Sequence, residues 1–565
     1  MKKRVEIILF TCSIFLFAFF CHEHGKAAQK PLFKNFIEKD IDTRLSRMSL
    51  EKKIGQILIF GFYGTALDED YRIWLSSGKL GNIKIFLRNI QSKEQLKKLT
   101  NFIAVLADNS GQGIPPFIAT DVEGGVVNHL RSPGISRAPA AGLIGATTYA
   151  ENNRNISRLI ALTLFDLGIN MNFAPCADVL TNPKNFVIGT RSYSSDPNLV
   201  SAMVKSFIEE QKKLGILATP KHFPGHGMTD FDSHQISNAV STTRRELDQI
   251  HLLPYKKLIK ERKLDGCMVS HIIYSEFDPL YPAAFSPVIV NNLLRKELDF
   301  KGIVVTDDLE MKGSQNYAKS IEEAFILAFN AGNDLLLIAH TKSKQVKILN
   351  NITELFKNRI LSEEELNVKV LRILKIKKQY LTHFYTMKDT EKENKQALIN
   401  ALKETKKVIM EGPVQLSSNI KGSIPEYFNK ALKNNLKGVI LAPTRKFSSL
   451  AKDYFNNWDV IYIEFFPDRK KNRRRVNEVR NQLKSYDIAI LGLANERQAE
   501  WAKACIEEKV QFGILSINNP FSAHIFAQNA LFIVTSFDPY SPGLDALFTC
   551  VFKTGDFSGT FPYYF

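Results

Sequence analysis

Short apolar runs alternate with longer amphipathic stretches along most of this chain. The runs lie at 56–62, 83–86, 116–120, 171–174, 214–219, 266–270, 302–306 and 334–339. Between them, 92–108, 156–167, 199–213 and 321–330 repeat apolar residues at helical spacing, and Ser49 opens another helix over the residues that follow. Runs this short and this continuously apolar read as strands buried on both faces, as in a parallel sheet covered by helices. Eight strand–helix units predict an α/β fold with a TIM-type (β/α)8 barrel over 34–385, a doubly wound sheet being the competitor. A charged helical stretch (362–378) is followed by a polar segment, 386–396, that reads as a linker. The pattern then restarts at 438–442, 460–465, 488–492, 513–517 and 531–536, predicting a smaller α/β sandwich domain over 397–565.

The residues just past the runs favour the barrel. They are Arg88-Asn89, Asp121 with Glu123, Asp178, Lys221-His222, Ser270-His271 and Asp307-Asp308. A closed barrel brings such ends to one face, whereas an open sheet spreads them along an edge. The densest stretch runs from Lys221 to His234, with three His, two Asp and one Lys punctuated by Pro224, Gly225 and Gly227. That punctuation predicts a shaped loop. The second domain shows no comparable cluster, so its expected role is to pack against the barrel and shape its rim.

Composition changes the picture at two points. The net charge of +17 over 565 residues raises nucleic acid as a partner, but Lys and Arg are scattered, with one dense run at 469–475. A basic solvated surface is the better reading, and no nucleic acid is expected. At the N-terminus, Lys2, Lys3 and Arg4 precede an apolar run over 7–20, the pattern of a secretory signal within 1–28. Cys21 suggests a lipoprotein signal, Gly25 to Ala28 an ordinary cleavage site, and an uncleaved membrane anchor is the third outcome. All three place the body outside the cytoplasm, in the periplasm or at the cell surface. The other cysteines, Cys176, Cys267, Cys505 and Cys550, are too scattered for a metal finger and read as buried thiols.

The polar loop admits three chemistries: proton transfer, metal binding and a serine-centred triad. His222, His226, Asp230, Asp232 and His234 are ligand types, but Pro224-Gly225 between the first two histidines breaks the helical spacing that zinc motifs use. Ser233 is adjacent to His234, and neighbours do not place a hydroxyl on an imidazole with a carboxylate behind it. No metal and no cofactor are expected.

The segments 221–227 (Lys-His-Phe-Pro-Gly-His-Gly) and 232–234 (Asp-Ser-His) resemble the signature of family 3 glycoside hydrolases of the β-N-acetylglucosaminidase branch. Further pieces match in order: 51–56, Arg88-Asn89, Asp121-Val122-Glu123-Gly124-Gly125, 172–175 with Asp178-Val179, 189–193 with Asp196-Pro197, and 302–311. The resemblance covers most of 45–345 and implies a retaining exo-β-N-acetylglucosaminidase acting on terminal N-acetylglucosamine of peptidoglycan-type fragments. It implies Asp307 as nucleophile and His234 with Asp232 as an acid/base dyad. A neutral imidazole titrates near working pH, so it can give a proton and then take one. Asp121, Arg191, Lys221 and His222 match the positions that grip the sugar, and Glu123 is expected to orient its neighbours. The partner implied is thus a carbohydrate, with N-terminal membrane attachment among the outcomes above. Where relatives carry two arginines, this chain has Val126 and His129, and Arg131 is the expected replacement for the second. A family 3 β-glucosidase, a glycoside phosphorylase and a non-catalytic wall-binding lipoprotein are the alternatives.

Overall fold

The computed structural model describes residues 32–230, 239–387 and 391–564. Its first part is a closed barrel of eight parallel strands. These are β1 Leu58–Gly61, β2 Asn82–Lys84, β3 Phe117–Thr120, β4 Met171–Asn172, β5 Leu217–Ala218, β6 Gly266–Val269, β7 Ile303–Thr306 and β8 Leu336–Ile338. The ladder runs β8-β1-β2-β3-β4-β5, with Ile59 opposite Leu337 and Asn82. β6 and β7 pair separately, and single bridges, Phe223 to Val269 and Val305 to Leu335, close the ring. Every residue of the eight strands is buried. That explains why the runs read as continuously apolar rather than alternating.

A helix follows each strand and covers its outer face, for example Lys93–Asp108 after β2, Ala150–Asp166 after β3 and Pro197–Lys212 after β4. Local sequence sets where they start. Ser92 and Ser320 accept from the backbone N–H groups of Gln95 and Glu323, and Asp196 accepts from Asn198 N with Pro197 in the first turn.

The second part is an open sheet of six strands: β9 Val414–Ser418, β10 Gly438–Ala442, β11 Asp459–Tyr462, β12 Ile488–Leu493, β13 Gln511–Ser516 and β14 Phe532–Thr535. The order is β9-β14-β13-β12-β10-β11, parallel except for β9. Alternate residues of β12 enter two separate cores. Ala489, Leu491 and Leu493 face one, Ile488 and Ile490 the other, so helices cover both faces.

Two expectations are corrected. The polar segment 386–396 is helical from Glu391, the start of the helix Glu391–Glu411. Its Glu, Lys and Gln residues are strong helix formers, and further along Leu398, Ala401 and Leu402 pack on Leu159 and Leu162 of the barrel helix Ala150–Asp166. Strand β9 was not anticipated, because an edge strand with a half-polar sequence lacks an apolar run. The signal segment 1–28 lies outside the described residues. Among those described, no helix is long and apolar enough to cross a membrane.

The two parts meet over an apolar seam that includes Leu143, Ile188, Ile409, Phe537 and Tyr563. The chain's end then returns to the barrel. Thr560 N donates to Ala146 O (2.7 Å), Tyr563 Oη to Ser192 O (2.7 Å) and Tyr564 N to Ser195 Oγ (2.6 Å).

Candidate active site

The C-terminal ends of the barrel strands build one polar face. Lys84, the last residue of β2, reaches Asp121 Oδ2 at 2.8 Å. Asp121 follows β3, and its other oxygen accepts from Lys221 Nζ at 2.7 Å. Lys221 also meets Glu123 Oε1 at 2.7 Å. Arg191 clamps Glu123 with two nitrogens, each at 2.8 Å. Five charges, four at the ends of β2, β3 and β5 and Arg191 from the turn Gly189–Arg191 after β4, thus pair with one another in a site where each residue is less than a tenth exposed.

The electrostatics follow from this pairing. Burial alone would raise the Asp121 carboxyl, but Lys221 and Lys84 hold it well below the carboxylate range. Burial likewise opposes ionisation of Glu123, and Arg191 with Lys221 overcomes it. Both carboxylates are therefore acceptors, facing fixed donors in a dry site.

His222 sits beside this network. Its Nδ1 lies 2.8 Å from Asp178 Oδ2 and its Nε2 3.4 Å from Arg191 Nη2. Asp178 also accepts from His226 N at 2.6 Å. It is fully buried, and burial would raise it, but His222 and His226 bring it down to about 2. Close backbone approaches explain two glycines around the site. A Cβ on Gly227 would stand 1.8 Å from Val179 O, and one on Gly124, at φ +102°, would stand 2.1 Å from Pro139 O. Burial, then His222, lowers His226 to about 4, so it is neutral at pH 7.

Cys176 Sγ, a carboxylate oxygen of Asp178 and a ring nitrogen of His222 lie within 4.8 Å of one another, a set that could ligate a metal. Zinc would need the thiolate. Burial and the Asp178 charge push this thiol well up, and Sγ donates to Asp178 at 3.2 Å.

Asp307 follows β7 on the same face. Its N–H donates to Val269 O at 3.0 Å, and its Oδ1 accepts from Asp308 N at 2.8 Å. The residue is partly exposed. Asp308 turns the other way: its Oδ1 accepts from Glu310 N and Ala339 N, and its Oδ2 lies 3.2 Å from His340 Nε2. His271 is buried and meets Asp308 O through Nε2 at 3.1 Å.

Asp121, Arg191, Lys221 and His222 are thus brought together around Glu123 and Asp178, with Asp307 on the same rim. Asp232 and His234 lie outside the described residues. Lys84 was missed, because a lysine inside a strand run carries no motif of its own. Arg131 does not stand in for the absent arginine near Asp121. Its Nη1 donates to Tyr540 Oη of the second domain at 2.7 Å, while His129 lies 3.5 Å from Asp121.

Comparison with known proteins agrees with this architecture. Residues 49–376 match the glycosyl hydrolase family 3 N-terminal domain. A beta-hexosaminidase of Idiomarina loihiensis is 34% identical over 52% of this chain and 86% of its own length. Beta-hexosaminidase A of Pseudoalteromonas piscicida is 32% identical over 55% of this chain and 56% of its own. The solved structure of a glycoside hydrolase family 3 beta-N-acetylglucosaminidase from Paenibacillus sp. str. FPU-7 superposes with a TM-score of 0.79 at 26% identity. It covers 92% of this chain and 99% of that one. With the barrel, its ring of strand-end charges and more than half of the chain matched, this protein is a glycoside hydrolase and belongs to glycosyl hydrolase family 3.

Proposed function

We propose that the chain is a retaining exo-β-N-acetylglucosaminidase that removes terminal β-linked N-acetylglucosamine from peptidoglycan-type fragments. The observation that carries this is the division of the barrel mouth. A buried charge network from β2, β3, β4 and β5 and the segments after them is set before substrate arrives, and Asp307, partly exposed, follows β7. The relatives called beta-hexosaminidases support the choice of sugar.

In this reading Asp121, Arg191, Lys221 and His222 bind the sugar's hydroxyls. Their mutual pairing prepays the ordering cost, so binding needs little rearrangement. Asp178 holds the His222 ring through Nδ1, which leaves Nε2 toward Arg191 and the sugar. Asp307 attacks the anomeric carbon, and the glycosidic bond breaks as a covalent glycosyl–enzyme ester forms. His234, oriented by Asp232, gives its proton to the departing oxygen. It then takes one from water as the ester is hydrolysed. Asp308 contributes structure, since its oxygens are committed to Glu310 N, Ala339 N and His340.

The test is release of 4-nitrophenol from 4-nitrophenyl N-acetyl-β-glucosaminide, with the anomeric configuration of the first product followed by NMR. Asp307→Asn should reduce turnover at least about a thousandfold, and the first product should be the β-anomer. Turnover retained in Asp307→Asn, or an α-anomer formed first, sinks the proposal.

A further inference from the structure

The loop that leaves the sugar-facing hairpin carries two arginines that face the second domain. Arg131 and Arg137 are both half-buried, and neither forms an ion pair with a carboxylate among the described residues. They converge on Tyr540 of the second domain, their guanidinium carbons 5.7 and 5.3 Å from its ring centre. Arg131 Nη1 donates to the Tyr540 hydroxyl at 2.7 Å, which leaves that hydroxyl's own proton to give. Arg131 Nε is shielded from solvent and meets no acceptor among the described residues. A solvated surface arginine without a partner is ordinary. A shielded guanidinium nitrogen with no acceptor is costly, and a second cation at the same ring adds repulsion.

The nearby acid offsets only part of this charge, since Asp538 attracts Arg137 but makes no ion pair with it among the described residues. Asp538, which precedes Tyr540 by two residues, is fully buried, and burial pushes its carboxyl up to about 7. Its Oδ1 is taken by Tyr540 N at 3.0 Å.

The position relative to the barrel mouth is set by the hairpin Val122–Gly124 and Val127–Asn128. His129 N donates to Asp121 O at 2.9 Å, so Arg131 stands two residues from the sugar grip. Its far side belongs to the second domain. The two arginines therefore lie where the loop after this hairpin meets the second domain.

We propose that Arg131, Arg137 and Tyr540 form a binding site for an oxyanion, a carboxylate or a phosphate, carried by the group to which the terminal sugar is attached. Two guanidinium forks and a phenol supply the donors such a group needs. The site gives the second domain a role in choosing substrate, although it holds none of the proposed catalytic groups. The inference rests on the glycosidase reading above.

Three substrates with the same terminal sugar test it on the full chain. One is neutral, chitobiose. One has a carboxylate, β-N-acetylglucosaminyl-(1→4)-N-acetylmuramic acid. One has a phosphate, β-N-acetylglucosaminyl glycerol phosphate. The readout is the ratio of kcat/KM for each anionic substrate to that for chitobiose. The wild type should favour one anionic substrate, which identifies the oxyanion, and added salt should erode the preference. Arg131→Gln and Arg137→Gln should each lower the ratio about tenfold, while Arg131→Lys should retain part of it. Because each protein is normalised to its own chitobiose turnover, a folding defect does not mimic the result, and Arg137→Gln carries the test if Arg131→Gln is inactive. A wild type without anionic preference, or ratios unmoved in both variants, overturns the inference. A wild type that cleaves none of the three overturns the glycosidase reading instead.

Discussion

The barrel and the C-terminal sheet are built from the same unit, a parallel strand followed by a covering helix, yet their strand ends carry different chemistry. In the barrel, Lys84, Asp121, Glu123, Arg191 and Lys221 are charged, buried and bound to one another. In the open sheet, the polar residues past the strands mostly serve local structure. Thr444 caps a helix through Phe447 N, Asn495 accepts from Arg497 N, and Asn519 accepts from Phe521 N. Closure of the sheet makes the difference. It brings strand ends from across the chain within ion-pair distance, whereas an open sheet leaves each with its sequence neighbours. The buried charge network therefore belongs to the closed sheet, and the open one meets the barrel along the apolar seam.

Lys221→Met breaks this contrast most strongly. It leaves Asp121 and Glu123 buried with one fewer cation, so it should cost about 3–5 kcal/mol by chemical denaturation and abolish turnover. Loss of less than 1 kcal/mol would mean that the network is solvated.

Acid should act next. His226 and His251 are buried and neutral, each lowered to about 4 chiefly by burial. Their unfolded forms take up protons first as pH falls. Stability is thus complete above about pH 6.5 and is lost between there and pH 4, on the order of 3 kcal/mol for each. Asp178, lowered to about 2, contributes stability above its ordinary value that is lost as pH falls from about 4 toward 2. Denaturation midpoints at pH 7, 5 and 4 check the first window. His251→Phe should flatten it, and an unchanged slope would contradict the burial argument.

A smaller effect should cross the seam. Tyr563→Phe removes the hydroxyl that donates to Ser192 O, the residue after Arg191. We expect a stability loss of about 1–2 kcal/mol and a raised KM with little change in kcat, seen by steady-state kinetics. The smallest effect belongs to the open sheet's surface. Lys484, 57% exposed and paired with Glu508 at 3.4 Å, should change stability by less than about 0.5 kcal/mol when replaced by Met.

Much of this was legible in the sequence. The eight barrel strands were readable because burial on both faces leaves each run mostly apolar. The placement of Asp121, Lys221, His222 and Asp307 at the barrel mouth was readable because they stand just past those runs, whereas Arg191 was found through the 189–193 segment. Lys84 was not, since its importance comes from Asp121, thirty-seven positions later in the chain. The pairing of Arg131 with Tyr540 was not either, because no local pattern links residues about four hundred apart. The helix Glu391–Glu411 hid behind a polar start whose apolar positions begin only a turn later.

The central claim is that Asp307, not its neighbour Asp308, forms the covalent link to the sugar. A 5-fluoro-N-acetylglucosaminyl fluoride should trap that intermediate, and peptide mass spectrometry should then locate the label. One sugar is expected on the peptide that holds both residues, with fragmentation placing it on Asp307 and no label in Asp307→Asn. A label on Asp308, or labelling that persists in Asp307→Asn, would contradict it.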